Sequence, residues 1–213
     1  MFPPRFAPIL QEMEPLAALF REAGHRLFLV GGSVRDLLLG DTDAGTDLSL
    51  IDFDATTTAT PDQIKKIVQP IADALWTQGE RFGTIGLKIG ERTYEITTHR
   101  AEAYSPDSRK PEVQFATDIE TDLSRRDFTI NAMALELTTD TPELVDPFGG
   151  LADLMARVLR TPLSAEESFS DDPLRMLRAA RFISQLEVAP DPSITAAVTA
   201  MADRLTIVSA ERV

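Results

Sequence analysis

The sequence predicts an α+β fold in which a small mixed β-sheet with packed helices is followed by a helical region. Short apolar runs such as Leu27–Val30 alternate with amphipathic segments in the first part of the chain. Two apolar runs flank Gly90-Glu91 in the pattern of a β-hairpin. From Asp118 onward the apolar residues recur mainly at helical spacing. We therefore expect a sheet-containing head over residues 1–150 and a helical region over residues 151–213.

The first elements follow from apolar periodicity. The pattern predicts a helix over residues 9–23, a buried strand over Leu27–Val30 and a second helix over residues 34–39 that Gly40 ends. These predictions leave a Gly31-Gly32 turn between a strand and a helix. In that setting backbone N–H groups at the start of the helix can receive phosphate.

Polar residues 41–46 predict a loop before a strand from about Leu48 to Asp54. A helix is expected over residues 61–71, because Thr60 is a favourable cap and Pro61 suits a first helical position.

The sheet is completed by later strands. Residues 82–89 and 93–99 predict a hairpin, and short strands are expected at residues 134–137 and 143–145. Turn-forming and charged residues predict a mobile polar loop over residues 104–111.

The clearest helix of the second half begins near Asp172, with Pro173 in its first turn. It combines apolar positions that should pack with a row of arginines. The apolar positions are Leu174, Leu177 and Phe182, and the basic positions are Arg175, Arg178 and Arg181. The chain ends soon after Ser209, which is in capping position for a further helix, and we interpret this end as a C-terminal truncation.

Composition limits the kind of site. The 213 residues are 43% hydrophobic, which is enough for a substantial core. The sequence contains no cysteine and only two histidines, so a metal ion would have to bind oxygen ligands. No run of 18 apolar residues and no signal peptide is present, and a cytoplasmic protein without membrane contact is the simplest expectation.

The formal net charge of -13 argues against binding nucleic acid by bulk electrostatics. Arginines nevertheless concentrate at Arg125-Arg126 and in the row that begins at Arg175. Small cationic sites are therefore compatible with an acidic whole.

The most informative residues are Asp52 and Asp54, which follow the glycine turn in the chain. Residues i and i+2 of a strand share a face, and two carboxylates there can hold hard divalent cations. Glu95 is a candidate third carboxylate on a neighbouring strand, although a solvated strand face explains it equally well. Asp47 lies an odd number of residues from Asp52, and we assign it a loop or capping role.

Four segments, in order along the chain, resemble the signatures of class II tRNA nucleotidyltransferases, the CCA-adding enzymes, and of the related bacterial poly(A) polymerases. The first joins the glycine turn to the aspartate pair, the second resembles a ribose-recognition motif, the third a flexible segment and the fourth a base-reading helix. They are residues 31–40 with 52–61, 122–134, 146–154 and 171–182.

The resemblance implies a polymerase-beta-like head that adds CMP and AMP from CTP and ATP to the 3′ end of tRNA. It implies two Mg²⁺ ions, with Mn²⁺ as an alternative, on the catalytic residues Asp52 and Asp54. Glu95 is the candidate third catalytic carboxylate from its place on the neighbouring strand. The implied nucleotide-binding residues are Gly31, Gly32, Arg35, Arg126, Asp127, Asn131, Asp172, Arg175 and Arg178.

Within that set, the resemblance implies that Asp172 and Arg175 read the base edge, in place of a nucleic-acid template. Asp127 and Asn131 would recognise the ribose from one helical face, since they are four residues apart. The structural alternatives are an N-cap role for Asp172 and, for Asp36, an intra-helix pair with the surroundings of Arg35.

The chain departs from the family pattern by an insertion of several residues between Gly40 and Asp52, and by Asp171 where glutamate is commoner. The motifs do not separate CCA addition from poly(A) synthesis, and a nucleotide-binding module that has lost catalysis is a third reading. Because the chain is acidic, we expect it to bind tRNA only weakly.

Overall fold

The computed structural model describes residues 3–40, 53–105 and 108–209, and for residues 102–105 and 108–112 it describes the backbone alone. The helices are α1 (Ala7–Glu22), α2 (Gly32–Leu39), α3 (Pro61–Val68), α4 (Ile119–Ser124), α5 (Gly150–Ala156), α6 (Ala165–Asp171), α7 (Leu174–Leu186) and α8 (Pro192–Met201). Short 3-10 helices are found at Pro4–Phe6, Glu80–Phe82, Thr129–Asn131 and Ala202–Ile207.

The strands are β1 (Leu27–Val30), β2 (Phe53–Thr57), β3 (Ala74–Trp76), β4 (Thr84–Ile89), β5 (Arg92–Thr98), β6 (Arg100–Ser105), β7 (Ser108–Phe115), β8 (Ala134–Glu136), β9 (Glu143–Val145), β10 (Val158–Leu159) and β11 (Ala189–Pro190). Seven of them form one sheet in the order β3-β4-β5-β2-β1-β8-β9. β2 and β5 are parallel, whereas the other neighbours in this sheet are antiparallel. The predicted α+β class with a mixed sheet is confirmed.

Both faces of the sheet are covered at β1. All four residues of β1 are buried, as its unbroken apolar sequence predicts. Leu29 belongs to the main core, to which α1, α3 and the later helices contribute. Phe28 and Val30 point the other way and pack in a second cluster with Ile119 and Leu123 of α4. The main core extends from α1 to α8, and the boundary near residue 150 remains a prediction.

Local signals fixed the ends of several elements. Thr60 and Gln63 form a capping box around Pro61, which stabilises the start of α3 as expected. The helix ends at Val68, three residues before the predicted end. Gly40 ends α2 in the left-handed conformation, with φ of 60°.

Two sequence predictions need correction. Residues 104–111 were expected to be a loop, but most of them belong to β6 and β7, which pair as an antiparallel hairpin. This hairpin is a separate two-stranded sheet, so each of its strands is an edge strand. An edge strand tolerates a proline, because one side of its backbone has no hydrogen-bond partner to lose. The strand expected to end at Asp54 continues to Thr57, where β-branched threonines favour extended backbone, and the part of it predicted over residues 48–52 lies outside the described residues.

Residues 41–52, which include Asp47, Asp52 and the inserted segment, lie outside the described residues. The helix expected to begin at Ser209 lies beyond them as well. In the described part of the chain, no helix combines the length and the apolar character that crossing a bilayer requires.

Candidate nucleotide-binding site

A glycine turn forms the first part of the candidate site. β1 leads into Gly31, whose φ of 73° is strained for other residues, and α2 begins at the next residue. A Cβ atom on Gly31 would lie 3.1 Å from Nη1 of Arg126. The turn therefore brings a guanidinium close to the first backbone N–H groups of α2. Such a corner suits an anion.

Arg126 has hydrogen-bonding capacity left in this position. Its Nη2 donates to Oδ2 of Asp122 at 3.1 Å, whereas its Nε is buried and has no hydrogen-bond partner among the described residues. Asp122 is fully buried and also accepts from Arg125. Burial alone would raise the pKa of Asp122, but the charges of Arg125 and Arg126 outweigh it and hold that pKa at about 2. The carboxylate is therefore ionised at neutral pH.

A chain of hydrogen bonds links α2 to α7. Arg35 Nη1 donates to Oδ1 of Asn131 at 2.6 Å, and Asn131 Nδ2 donates to Oδ1 of Asp127 at 3.0 Å. Arg178 closes the chain from α7, since its Nε lies 2.7 Å from Oδ2 of Asp127. The backbone N–H of Phe128 also donates to Asp127. Four of the predicted site residues thus form one network.

The expected helical face that joins Asp127 and Asn131 is wrong. α4 ends at Ser124, and the 3-10 helix Thr129–Asn131 follows a short non-helical link. The two side chains meet because this turn folds back on Asp127. The spacing of four residues thus correctly predicted that the two side chains would be in contact, but it wrongly predicted that one helix would carry both.

Phe182 packs beneath the arginines of this region. The Cζ atoms of Arg35, Arg178 and Arg181 lie 5.4, 5.3 and 5.2 Å from the centre of its ring. Phe128 meets the same ring edge-on at 5.7 Å. The aromatic ring attracts these guanidinium groups by cation–π interactions. Because Arg35 belongs to α2 and Phe182 to α7, the contact also holds the two helices together. Arg35 also pairs with Asp36, as the structural alternative predicted.

Asp54 and Glu95 are brought together on the sheet. They are register partners in the parallel β2–β5 pair, and both are exposed, while their neighbours Phe53, Tyr94 and Ile96 are buried. The antiparallel pairing of Leu29 with Ala55 brings the start of β2 to the end of β1, next to the glycine turn.

No group of three or more acidic or histidine side chains suited to a metal ion is found among the described residues. The first predicted ligand, Asp52, lies outside them. The described part of the site therefore contains two carboxylates on one face, those of Asp54 and Glu95.

Arg175 is buried, whereas Arg181 of the same row is exposed. Arg175 is only 7% exposed, and it donates from Nη1 to Ser168 Oγ at 2.9 Å and from Nη2 to the carbonyl of Arg125 at 2.6 Å. Internal acceptors compensate for its burial. Asp172 lies just before α7 and accepts from the backbone N–H of Leu174 at 3.0 Å, in the manner of a cap.

The apolar face predicted for α7 is partly wrong. Met176, Ala179 and Phe182 are its buried apolar residues, whereas Leu174 and Leu177 are only partly buried. The helix begins after Pro173, and the inward position of Arg175 rotates the packed face away from the leucines.

Sequence reasoning missed the residues that support this site. Asp122 precedes Arg125 and Arg126 by three and four residues, a spacing that predicts helical ion pairs and could have identified it. Asp153 has no such helical spacing to its partners, because the residues that donate to it, Thr129 and Arg160, lie farther away along the chain. It fixes the 3-10 helix that carries Asn131 against α5.

Comparison with known proteins gives a consistent result. The family model of the poly A polymerase head domain matches residues 27–160. The CCA-adding enzyme of Bacillus subtilis (strain 168) is 41% identical over 199 residues, which cover 93% of this chain and 47% of that enzyme. The chain spans about half the length of the curated relatives it matches.

Solved structures agree with this similarity. The crystal structure of Bacillus stearothermophilus CCA-adding enzyme in complex with CTP aligns with a TM-score of 0.80 and 33% identity, covering 99% of this chain and 47% of that one. Thermotoga maritima CCA-adding enzyme complexed with tRNA(CCA) aligns with a TM-score of 0.77 and 29% identity, covering 96% and 45%.

Proposed function

Because the chain belongs to the poly A polymerase head domain family, we propose that it forms the nucleotide-selecting and nucleotidyl-transferring part of a CCA-adding enzyme. The reaction would transfer CMP and AMP from CTP and ATP to the 3′ end of tRNA, with release of pyrophosphate. The observation that carries this proposal is the convergence of an exposed carboxylate face, Asp54 with Glu95, and an anion-accepting corner at Gly31 and Arg126.

The carboxylates fit hard divalent cations. Asp54 and Glu95 present oxygen atoms on one exposed face, and Asp52 would add a further ligand two residues before Asp54. We propose Mg²⁺ as the ion, with Mn²⁺ as an alternative. When bound, two such ions would activate the attacking 3′-hydroxyl and stabilise charge on the leaving pyrophosphate.

The triphosphate would bind at the glycine turn. Arg126 has a buried Nε donor without a partner in the described part of the chain, and α2 offers the N–H groups of its first turn. Gly31 and Gly32 would let phosphate oxygens approach the backbone. Arg178 is 38% exposed and would add a second cation from α7.

Asp127 and Asn131 would recognise the ribose. Their mutual hydrogen bond and their contacts with Arg178 and Arg35 hold both side chains in one orientation. Preorganisation of this kind reduces the entropy lost when a ligand binds.

The base would be selected by Asp172 and Arg175. A carboxylate can accept from the exocyclic amine of cytosine or adenine, and a guanidinium can donate to the adjacent ring acceptor. Arg175 already uses donors on Ser168 and the Arg125 carbonyl, and a guanidinium has further N–H donors besides these. Guanine and uracil would present the opposite pattern.

Nucleotide binding tests this proposal most directly. CTP, ATP, GTP and UTP would be titrated with Mg²⁺ into the wild-type chain and into Arg175→Ala, and the heat of binding followed. We expect CTP and ATP to bind selectively and the selectivity to be lost in the variant. Equal binding of all four nucleotides by the wild type would contradict the proposed selection.

Pyrophosphate release with a tRNA that lacks its terminal CCA separates the enzyme classes. Ordered incorporation of CMP and AMP supports CCA addition, whereas AMP alone indicates a poly(A) polymerase. Nucleotide binding without turnover indicates a nucleotide-binding module that has lost catalysis through the loop before Asp52.

We also propose that this chain alone binds tRNA weakly, because its net charge is -13. An electrophoretic shift at increasing salt would test this. Tight binding that resists salt would contradict the proposal.

A further inference from the structure

Asp122 is a buried carboxylate that none of the proposed chemical steps uses. It lies in α4, its side chain is fully inaccessible, and both of its oxygens are engaged. Oδ1 accepts from Nη2 of Arg125 at 2.8 Å and from the backbone N–H of Arg100 at 3.2 Å, and Oδ2 accepts from Arg126 at 3.1 Å. A single side chain thus joins two adjacent arginines to the start of the β6–β7 hairpin.

Each of these arginines leads to a different part of the proposed nucleotide site. Arg126 extends to within close reach of Gly31, at the corner proposed for the triphosphate. Arg125 acts through its backbone, because its carbonyl accepts from Nη2 of Arg175, the proposed base reader. Arg125, Arg126 and Arg175 line one cavity of about 120 Å³ between α4 and α6.

We infer that Asp122 is a positioning residue that holds two arginines in place: Arg126, the proposed phosphate-binding residue, and Arg175, the proposed base-reading residue. This inference rests on the proposed nucleotide binding and extends it. Long arginine side chains lose much rotamer freedom when they are fixed. Oδ2 of this buried carboxylate fixes Arg126 before the ligand arrives. Oδ1 holds Arg125, so that the carbonyl beneath Arg175 stays in place. Asp122 itself would not touch the nucleotide.

The variant Asp122→Asn tests the inference, since it keeps the shape and removes the charge. We expect the CTP dissociation constant, measured by calorimetry with Mg²⁺, to rise about tenfold or more. The matched control is Glu136→Gln. Glu136 lies on β8 and is another buried carboxylate that pairs with an arginine, Arg26. The CTP affinity of this control should equal that of the wild type.

A double-mutant cycle with Arg126→Ala separates positioning from general destabilisation. If Asp122 acts through Arg126, the double variant should lose less affinity than the product of the two separate losses. Independent, multiplying losses would overturn the inference. So would unchanged CTP affinity in Asp122→Asn while Arg126→Ala binds poorly.

A nucleotide-free measurement keeps this test distinct from that of the proposed function. In ¹⁵N NMR spectra, the Nε–H signals of Arg125 and Arg126 should be sharp in the wild type and in Glu136→Gln, and broadened or lost in Asp122→Asn. If they behave so while the wild type binds no CTP, the proposed function fails and the positioning role stands.

If Asp122→Asn does not fold, the variant Asp122→Glu tests the inference in its place. It retains the buried charge and displaces the oxygens by one methylene, so CTP affinity should fall in a chain that still unfolds cooperatively. Glu136→Asp is its control. Wild-type affinity in Asp122→Glu, with unchanged Nε–H signals, would overturn the inference.

Discussion

Asp54 and Glu95 lie opposite each other in the parallel β2–β5 pair, with both carboxylates exposed on one face of the sheet. Like charges on directly opposed strand positions destabilise a sheet. A cation bound between the two carboxylates would remove that cost, and the pairing therefore supports the metal site proposed above.

The first prediction follows from this pairing. Asp54→Asn should lower CMP incorporation at least about 100-fold, and Glu95→Gln about tenfold, because each removes an oxygen ligand of the proposed metal site. The same changes should leave the melting temperature equal to or above that of the wild type, since they relieve repulsion between like charges. Incorporation assays with Mg²⁺ and thermal unfolding measure the two effects.

Glu91→Gln is the control, because this exposed carboxylate lies in the turn between β4 and β5, away from β2. It should retain full activity. Wild-type incorporation by Glu95→Gln would show that Glu95 is only a solvated residue and would return the catalytic role to the aspartates alone.

Arg178 and Arg181 provide the second prediction, since they lie one turn apart on α7 and both contact Phe182. Arg178→Ala should weaken CTP binding about tenfold, because it removes a proposed nucleotide contact and the ion pair that holds Asp127. Its stability should fall by about 1 kcal/mol or less, as the side chain is partly exposed. Arg181→Ala should change neither quantity measurably. Equal losses in the two variants would indicate that α7 acts only by its net charge.

Much of the fold was predictable where local chemistry and tertiary packing agree. The capping box at Thr60 and the apolar run of β1 both specify their elements without reference to the rest of the chain. The glycine turn before α2 was found because a strand and a helix meet there with no spacer.

The errors arose where distant contacts decide the structure. Nothing local to Arg175 indicates that Ser168 and a main-chain carbonyl would draw it inward. The β6–β7 hairpin is a second case. Its sequence is rich in turn-forming residues, and its extended backbone is stabilised only when the two strands pair.

The third prediction concerns the approach of α5 to the 3-10 helix Thr129–Asn131. A Cβ atom on Gly150 would lie 2.1 Å from the carbonyl oxygen of Thr129, which is backbone and cannot rotate away. Gly150→Ala should therefore lower the free energy of unfolding by about 1–3 kcal/mol and displace the turn that carries Asn131. Urea unfolding and CTP affinity should both report the change.

The control for this substitution is Gly90→Ala. Gly90 has φ of 58° but no atom within 4 Å of an added Cβ, so this variant carries backbone strain without a clash. Its unfolding free energy should fall by about 1 kcal/mol, with CTP affinity unchanged. Wild-type unfolding free energy and CTP affinity in Gly150→Ala would mean that the neighbouring backbone shifts to accept the added methyl group, and would contradict the prediction.

The last prediction concerns the acid stability of the chain and His99. This side chain is fully buried against Phe28, its Nδ1 lies 2.8 Å from Thr56 Oγ1, and its Nε2 has no partner within the described ranges. Burial lowers its pKa from 6.5 to about 4, although the nearby Asp122 opposes the shift. Above pH 6.5 the ring is neutral in both the folded and the unfolded chain, so it adds no pH dependence there.

Between pH 6.5 and 4 the unfolded chain binds a proton that the folded chain excludes, so stability should fall as pH decreases, by about 3 kcal/mol in total. The contribution of Asp122 is lost only below this window, between its ordinary pKa and about 2. Urea unfolding at a series of pH values should show a flatter slope in His99→Gln than in the wild type. His25→Gln, which removes a partly exposed ring, is the control and should keep the slope. An unchanged slope in His99→Gln would mean that water or local opening protonates the buried ring without cost to the fold.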